Sequence, residues 1–378
     1  MLELLLWGSI LVLAYIYVGY PVLVVTLGKL FRRRIAYGEG WPSITVIIAA
    51  YNEEKHITET VRTILALEYP KDRLDIIVAS DASSDATDRI VANLGAPNVR
   101  LLRVEGRVGK TACQNAAAAA ARGEWLVFVD ATTQVERKAL LAMSRNFHDP
   151  AIGCVAGRLI YVSRHGDVTG TGGTSYWGYE TALRLAESSL GSLIGVSGQL
   201  YAIRRSAYRP IPHDLISDFV VAMVMRGQGL RTVLEPAAVC FEDTLDQADR
   251  ELSMRVRVTL RSLVAISTQR RFLNPFCFGA FAWQLWSHKL LRYMSPVFWL
   301  LALLANIGLA AQGAYLWLLA AQLCALAIGL LGFLPVRVFT HSRLLARPFY
   351  FLLTNLASAV SLVRFVRGEK VVTWTPLR

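Results

Sequence analysis

The stretch Glu124-Trp125-Leu126-Val127-Phe128-Val129-Asp130-Ala131-Thr132 decides the fold that we expect for this chain. Residues 126–129 are apolar and predict a strand buried on both faces, and the apolar run stops abruptly at Asp130. Open α/β sheets bind ligands at the carboxyl ends of their strands, so Asp130 is placed to contact a ligand or a metal. An isolated aspartate is more often a helix N-cap or a turn residue, and other segments of the chain have to decide between these roles.

The composition indicates a membrane protein. Of the 378 residues 54% are hydrophobic, the mean hydropathy is +0.40, and 40 basic against 28 acidic residues give a formal charge of +12. Residues 4–28 are uncharged and long enough to cross about 30 Å of hydrocarbon, so residues 1–30 are predicted to form a transmembrane helix. Lys29 and the arginines at 32–34 follow directly, which places the N-terminus outside and the next domain in the cytoplasm. A cleaved signal peptide fits less well, because no small-residue cleavage site follows.

The C-terminal third contains further apolar segments. The uncharged residues 294–336 predict two transmembrane helices within 293–336, with a turn near Gln312 and Gly313. Residues 271–292 are predicted to form an interfacial helix, because their apolar part is short and contains tryptophans. A spanning helix at 346–366 would carry the basic residues that follow it to the outside, against the positive-inside rule. This segment is therefore expected to be an interfacial or re-entrant helix, with a spanning helix as the alternative. A cytoplasmic tail, residues 367–378, is expected after it. The five cysteines show no paired metal spacing and indicate reduced packing residues.

Residues 42–270 alternate strand and helix patterns and predict a cytoplasmic α/β domain with a mostly parallel, Rossmann-like sheet. The strand at 44–50 ends in Ala50-Tyr51-Asn52-Glu53-Glu54, where Asn52 suits a helix N-cap. The strand at 74–79 ends at Ser80-Asp81, and Ser83 or Ser84 suits the cap of a helix near Asp85. A strand at 99–104, a helix at 111–121 and the strand ending at Asp130 follow.

Three of these strands thus deliver polar residues to one edge of the sheet, which indicates a nucleotide site. Two other phosphate-binding patterns are absent from the sequence. Gly109-Lys110-Thr111 resembles the end of a P-loop, but the glycine required earlier is replaced by Val104. The glycine-rich fingerprint of dinucleotide-binding folds does not follow the first strand.

The motifs together resemble those of a family 2 glycosyltransferase with a GT-A fold, over about residues 42–235. The matching pieces occur in the family's order: Ala50-Tyr51-Asn52-Glu53, Asp81-Ala-Ser-Ser-Asp85, Gly109-Lys110 with Asn115 and Gly123-Glu124, Asp130-Ala-Thr132, and Ser217-Asp218-Phe219 before Gly229-Leu-Arg231. By this resemblance a nucleotide-sugar site is formed by Ala50, Tyr51, Asn52, Glu53, Asp81, Lys110 and Asp130. Tyr51, Glu53 and Asp81 would hold the uracil and ribose of a UDP-sugar, with Lys110 near the nucleotide.

The resemblance also implies a divalent metal, Mg²⁺ or Mn²⁺, bound by Asp130 and bridging the diphosphate. Negative charge develops on the β-phosphate as UDP leaves, and a metal held by hard oxygen ligands stabilises that charge. The family commonly has Asp-x-Asp here, whereas this chain has Thr132 at the second acid, which weakens the metal assignment. Gln134 is a further weak candidate for a ligand.

Asp218 matches the last acid of the family's Thr-Glu-Asp pattern, and Ser217 replaces the glutamate. The resemblance makes Asp218 the base that takes the proton of the acceptor hydroxyl in an inverting transfer. The Ser217-Asp218 pair also fits the N-cap of a following helix. Gly198 and Gln199 resemble the family's acceptor-side turn, although plain turn geometry explains the glycine too.

Basic residues beyond this domain are candidates for contact with a lipid-linked diphosphate. Arg257 and Arg261 lie four apart on one helix face, and a solvated or lipid-facing surface is an alternative role for them. His288, Lys289 and Arg292 are placed for a polyprenyl phosphate head group or as snorkelling anchors. The C-terminal tail with Trp374 is expected to fold back toward the opening of the catalytic site.

The sequence therefore predicts an integral inner-membrane hexosyltransferase that moves a sugar from a UDP-sugar to a lipid-linked saccharide for a surface polysaccharide. A processive polysaccharide synthase is the alternative among enzymes. A non-catalytic nucleotide-sugar-binding scaffold is the alternative of another class, because Thr132 and Ser217 both replace acids. Anionic lipid is an expected partner and nucleic acid is not, since the basic residues flank apolar segments and do not form one soluble patch.

Overall fold

The structure, a computed structural model, describes residues 1–162, 168–243, 248–331, 333 and 343–371, with only the backbone at 168–176 and 343–346. The chain divides into two compact units. A sheet unit contains Phe31–Ile160 and Arg184–Glu242, and a helical unit contains Met1–Leu30, Tyr161–Leu183 and Asp243–Lys370.

Eight strands are present among the described residues. They are β1 Ile44–Ala50, β2 Leu74–Asp81, β3 Val99–Val104, β4 Trp125–Asp130, β5 Gln134–Val135, β6 Ile152–Val162, β7 Leu200–Arg204 and β8 Arg231–Asp243. They form one sheet in the order β3-β2-β1-β4-β7-β6-β8-β5. The strands from β3 to β4 in this order are parallel, whereas β7 runs antiparallel to β4 and β6, and β5 antiparallel to β8. The predicted α/β fold is therefore confirmed, and the antiparallel pairs were not predicted.

Fifteen α-helices are present among the described residues. They are α1 Leu2–Ala14, α2 Tyr20–Leu30, α3 Ile57–Leu65, α4 Thr87–Ala92, α5 Lys110–Ala120, α6 Ala139–Ser144, α7 Val168–Leu190, α8 Ser217–Gly227, α9 Ala248–Thr268, α10 Pro275–Phe278, α11 Ala280–Gln284, α12 Leu291–Tyr293, α13 Ser295–Ala310, α14 Leu316–Leu331 and α15 Arg343–Val366. Turns of π-helix at Tyr15–Gly19 and Leu285–Leu290 join α1 to α2 and α11 to α12.

Strand register explains why the polar residues share one edge of the sheet. Every residue of β1 is buried, as expected for a central strand covered on both faces. Ala49 of β1 pairs with Asp130 of β4, and Ala50 pairs with Ser80 of β2. The carboxyl ends of the three strands therefore lie side by side, and α5 packs against β1 and β2.

The structure corrects two predicted helix caps. Helix α3 begins at Ile57 after His56, so Asn52 is not its N-cap. Asn52 instead has a left-handed backbone (φ 53°), and its side chain pairs with Ser84. Helix α4 begins at Thr87, and the Thr87 N–H donates to the Asp85 carboxylate at 2.9 Å. The residue that accepts from this N–H is therefore Asp85 and not the predicted Ser83 or Ser84.

The helical unit contains the apolar segments. Two of its described helices are long and apolar enough to cross a membrane, Leu2–Leu30 and Arg347–Val366. The bent pair Ala280–Tyr293 and Ser295–Ala310, with an angle of 55°, meets the same criterion when counted as one span. The segment at 271–292 is not one helix as predicted, because Gly279 (φ 52°) separates α10 from α11. Helices α13 and α14 lie within 293–336, and Gly313 (φ 81°) turns the chain between them.

The five cysteines are free thiols. Cys113, Cys154 and Cys240 are buried in the sheet unit, in agreement with the packing role predicted for them. Cys277 and Cys324 are exposed in the structure, so the predicted packing role does not apply to these two.

Candidate functional site

The loops that follow β1 and β2 are tied together by hydrogen bonds. The Asn52 side chain accepts from Ser84 N at 2.8 Å, and Glu53 N donates to the Thr87 hydroxyl at 2.8 Å. Glu54 N donates to Asp85, 3.1 Å away. Asn52 and Glu53, both predicted to bind the nucleotide, thus fix these loops next to Tyr51 and the buried Ala50.

Asp81 ends β2 and holds the loop that precedes α5. Its side chain is fully buried and accepts hydrogen bonds from Val108 N (2.7 Å), Gly109 N (3.1 Å) and the Arg107 guanidinium (3.0 Å). The guanidinium carbon of Arg107 also lies 3.2 Å from the centre of the Tyr51 ring. Arg107 was not predicted from the sequence. Its left-handed backbone (φ 53°), between Gly106 and Gly109, marks a constrained loop of the kind that clusters at functional sites.

Three charged side chains converge at Gly198. A Cβ added to this glycine would lie 3.0 Å from Asp218 Oδ2, 3.0 Å from Lys110 Nζ and 3.4 Å from Asp130 Oδ2. Lys110, the first residue of α5, forms an ion pair with Asp130. The sheet explains the convergence, because Val129 of β4 pairs with Leu200 of β7 and so brings Gly198 and Gln199 beside Asp130. The predicted donor-side and acceptor-side residues therefore lie together.

Asp218 lies in the first turn of α8 but does not cap it. The cap position is occupied by Ile216, which makes no side-chain cap bond, and the Ser217 hydroxyl contacts Gln114 Oε1 at 2.6 Å. Asp218 therefore does not have the N-cap role that the sequence left open as an alternative. Behind the site, burial raises the pKa of the Tyr201 phenol, and the nearby Asp218 charge raises it further.

Thr132 and Gln199 share one partner, Glu242 of β8, that the sequence did not reveal. The Thr132 hydroxyl donates to Glu242 Oε1 at 3.0 Å, and the Gln199 amide donates to Glu242 Oε2 at 2.7 Å. Pairing of β5 with β8 matches Gln134 with Phe241, which places Glu242 beside the turn that contains Thr132. Gln134 itself is exposed.

The donor set fits a single divalent cation that also binds a diphosphate. Asp130 already holds a cation, the Lys110 ammonium, and the Asp218 carboxylate faces the same point at Gly198. Within the described residues no group of three His, Cys, Asp or Glu side chains is arranged to hold a metal alone. Asp130 and Thr132 would therefore supply a minority of the ligands, and phosphate oxygens and water the rest.

The predicted acceptor residues His288 and Arg292 lie in the helical unit, around Glu180 of α7. His288 Nε2 is 3.1 Å from Glu180 Oε1, and Arg292 donates to Glu180 Oε2, also 3.1 Å away. Burial would raise the pKa of Glu180, but the charges of His288, Arg292 and Lys289 and the hydrogen bond with His288 outweigh it and hold the pKa well below its usual range. Glu180 is therefore a carboxylate that fixes two of the predicted cations.

The other predicted acceptor residues have different surroundings. Arg257 is half-buried and Arg261 buried on α9, the helix that packs against α15. Arg255 of α9 donates to Glu251 at 3.0 Å and contacts Tyr350 of α15. Trp374 lies outside the described residues, so its expected position stays a prediction.

Comparison with known proteins identifies the domain. Residues 45–211 match the model of "Glycosyl transferase family 2". The poly-beta-1,6-N-acetyl-D-glucosamine synthase of Staphylococcus aureus is 26% identical over 265 residues, 66% of this chain and 64% of the synthase. An N-acetylglucosaminyltransferase of Rhizobium is 27% identical over 233 residues, 57% of this chain and 52% of the relative. The chain thus spans less than two thirds of these curated relatives.

A solved structure gives the fold independently. The mannosyltransferase of Pyrobaculum calidifontis, in complex with GDP-Man and Mn²⁺, superposes with a TM-score of 0.74 at 23% identity, covering 98% of this chain and 100% of that one. Residues 45–211 therefore match a family 2 glycosyltransferase domain, and the chain has a GT-A-like fold.

Proposed function

We propose that the protein is an inverting glycosyltransferase that moves a sugar from a nucleoside-diphosphate sugar to a membrane-associated saccharide acceptor in surface-polysaccharide synthesis. The observation that carries this proposal is the convergence of Lys110, Asp130 and Asp218 at Gly198. A transferase of this class needs a cation for the leaving diphosphate and a base for the acceptor hydroxyl, and this cluster supplies both.

Asp218 acts as the base in the proposed reaction. The acceptor oxygen forms a bond to the anomeric carbon as the bond from that carbon to the β-phosphate oxygen breaks, and the hydroxyl proton passes to the Asp218 carboxylate. Lys110 neutralises the diphosphate that leaves with the bonding electrons. A bound Mg²⁺ or Mn²⁺, held by Asp130 and Thr132, would supply further charge stabilisation there.

Tyr51, Asp81 and Arg107 form the proposed base pocket. The Arg107 guanidinium covers one face of the Tyr51 ring, so a base that stacks on that face has to displace it. We retain UDP as the expected nucleotide from the sequence motifs. The Pyrobaculum mannosyltransferase holds GDP-Man, so guanine is the second base to be tested.

We propose a lipid-linked acceptor, with a polyprenyl diphosphate as its anchor. Its support is the candidate spanning helices and the cations of the helical unit, His288, Lys289, Arg292, Arg257 and Arg261. Arginine and lysine are suited to phosphate groups, and anionic lipid would bind the same surface. The proposed location is the inner membrane, with the sheet unit in the cytoplasm.

A processive synthase is the second candidate among enzymes. Similarity to a staphylococcal polysaccharide synthase favours it. Members that make long polymers usually have Gln-x-x-Arg-Trp where this chain has Met254-Arg255-Val256-Arg257-Val258, and the absence of the tryptophan favours single transfer. A binding scaffold without catalysis is the third candidate, supported by Thr132 and Ser217.

The test is incubation of membranes containing the protein with a panel of UDP-sugars and GDP-mannose, Mn²⁺ or Mg²⁺, and short polyprenyl-diphosphate-linked acceptors. Single transfer predicts one added sugar, and a processive synthase predicts a ladder of products. Nucleotide binding without product from any donor would support the scaffold and contradict the proposed enzyme. Chelation of the metal by EDTA is expected to reduce turnover, and added Mn²⁺ to restore it.

A further inference from the structure

The Glu242 carboxylate accepts hydrogen bonds from two segments of the site. Its side chain lies near the end of β8 with 8% of its surface exposed. Thr132, which donates to one carboxylate oxygen, lies two residues after Asp130. Gln199, which donates to the other, directly follows Gly198. One buried carboxylate therefore joins the metal-side turn to the acceptor-side segment.

The direction of these two hydrogen bonds is fixed by chemistry. An ionised carboxylate only accepts, so the Thr132 hydroxyl and the Gln199 amide nitrogen must both donate. Since a carboxylate cannot donate to the amide oxygen, Gln199 must present its nitrogen to Glu242.

Thr132 and Gln199, the two neutral donors, each keep an oxygen for another partner. A hydroxyl that gives its single proton to Glu242 keeps its lone pairs for another partner. An amide that gives its nitrogen to Glu242 presents its oxygen on the other side. A carboxylate behind a metal ligand also orients that ligand and raises its basicity.

We infer that Glu242 is a positioning residue that turns Thr132 into a metal ligand and aims the Gln199 carbonyl oxygen at an acceptor hydroxyl. The inference rests on the proposed function and deepens it. It also gives a reason why a threonine serves where an acid was expected, because the negative charge lies one hydrogen bond behind the ligand.

The test measures Mn²⁺ binding to the full-length protein in detergent with UDP or GDP present, by the loss of the free-Mn²⁺ EPR signal. Glu242→Leu removes both acceptor oxygens, and Mn²⁺ affinity is expected to fall about 10–100-fold, the usual effect of losing such a carboxylate. Thr132→Ala should cause a similar loss. The double variant should be no weaker than Thr132→Ala alone, because Glu242 acts on the metal through Thr132.

Glu235→Leu is the matched control. Glu235 lies on the same strand, is equally buried at 8% exposure, and bonds the Asn146 amide at 2.8 Å. This variant should lose stability without losing Mn²⁺ affinity. If Glu242→Leu fails to fold, Glu242→Gln replaces it: its amide offers one acceptor oxygen for two donors, so weaker Mn²⁺ binding is again expected.

The outcomes separate the inference from the proposed function. Absence of Mn²⁺ binding in the wild type with either nucleotide would overturn the proposed metal site, and the inference with it. Wild-type binding that stays within twofold in the Glu242 variant would overturn the inference alone. So would losses from the Glu242 and Thr132 substitutions that add fully in the double variant.

Discussion

Gly198 has no side chain, and the space that a Cβ would fill is bounded by Asp218, Lys110 and Asp130. The groups proposed to take the acceptor proton and to neutralise the leaving diphosphate therefore face the same small volume. The reaction rate at such a site depends strongly on where the charged atoms are placed.

Gly198→Ala is expected to lower turnover, but by less than the roughly 10²-fold loss that a misplacement of about 1 Å causes, because the neighbouring charged groups have to move by only a few tenths of an ångström. The new methyl group has to displace Asp218 and Lys110, each 3.0 Å from its position. Gly191→Ala is the control, because its nearest atoms, on Arg33, are 3.9 Å away. Steady-state rates of the two variants test this, and equal rates would contradict the assigned site.

Asp130→Ala is expected to be more damaging than Thr132→Ala. Asp130 carries the only formal charge of the two and holds a cation directly, whereas Thr132 contributes one neutral oxygen backed by Glu242. Nucleotide affinity at several Mn²⁺ concentrations measures both effects. Equal losses in the two variants would show that Asp130 has no special role at the metal.

At the scale of elements, β2 and α5 are coupled through Asp81. This carboxylate accepts from the backbone of Val108 and Gly109, immediately before Lys110 begins α5. The position of Lys110, on helix α5, therefore depends on a side chain at the end of strand β2. Buried hydrogen bonds to a charged group are worth about 1.5–3 kcal/mol each, so this connection is strong.

Asp81→Asn is expected to weaken nucleotide binding at least about tenfold, because the amide brings a donor to two backbone donors and loses the charge that attracts Arg107. Asp72→Asn is the control, since that side chain is 80% exposed and its nearest cation, Arg73, is 3.9 Å away. Titration of UDP and GDP by calorimetry tests the difference. Unchanged affinity in Asp81→Asn would remove Asp81 from the donor site.

Local patterns predicted the parallel strands well. β3 has the predicted bounds, and β1 and β4 end where their apolar runs end, because a central strand needs a continuous apolar segment. The loops were harder to predict. Asn52 has the composition of an N-cap, but its left-handed backbone and its bonds to Ser84 depend on a loop some 30 residues away in the chain.

Glu242 could not be predicted from the sequence for a related reason. It meets Thr132 because β8 pairs with the two-residue strand β5, and no local sequence pattern indicates this pairing. Asp130 was predicted because it ends an apolar strand, and Lys110 and Asp218 because they match motifs of the family that the sequence resembles. Their common meeting point, Gly198, required the β4–β7 register.

At the scale of the whole molecule, the chain contains a sheet unit that matches the glycosyltransferase family 2 model over residues 45–211, and a unit of apolar helices. In the helical unit, Glu180 holds His288 and Arg292, and Arg255 and Glu251 of α9 contact Tyr350 of α15. Buried charges among apolar helices are costly unless they serve a ligand or each other. The proposed lipid-linked acceptor is consistent with this arrangement, and the product assay described above tests it.

The most direct test of the central claim is Asp218→Asn, measured for both transfer and nucleotide binding. The account predicts that transfer falls about 10²–10⁴-fold, the usual contribution of a positioned base, while UDP or GDP affinity with Mn²⁺ stays within a few-fold of the wild type. Transfer at the wild-type rate in this variant, with binding intact, would contradict the claim that Asp218 takes the acceptor proton.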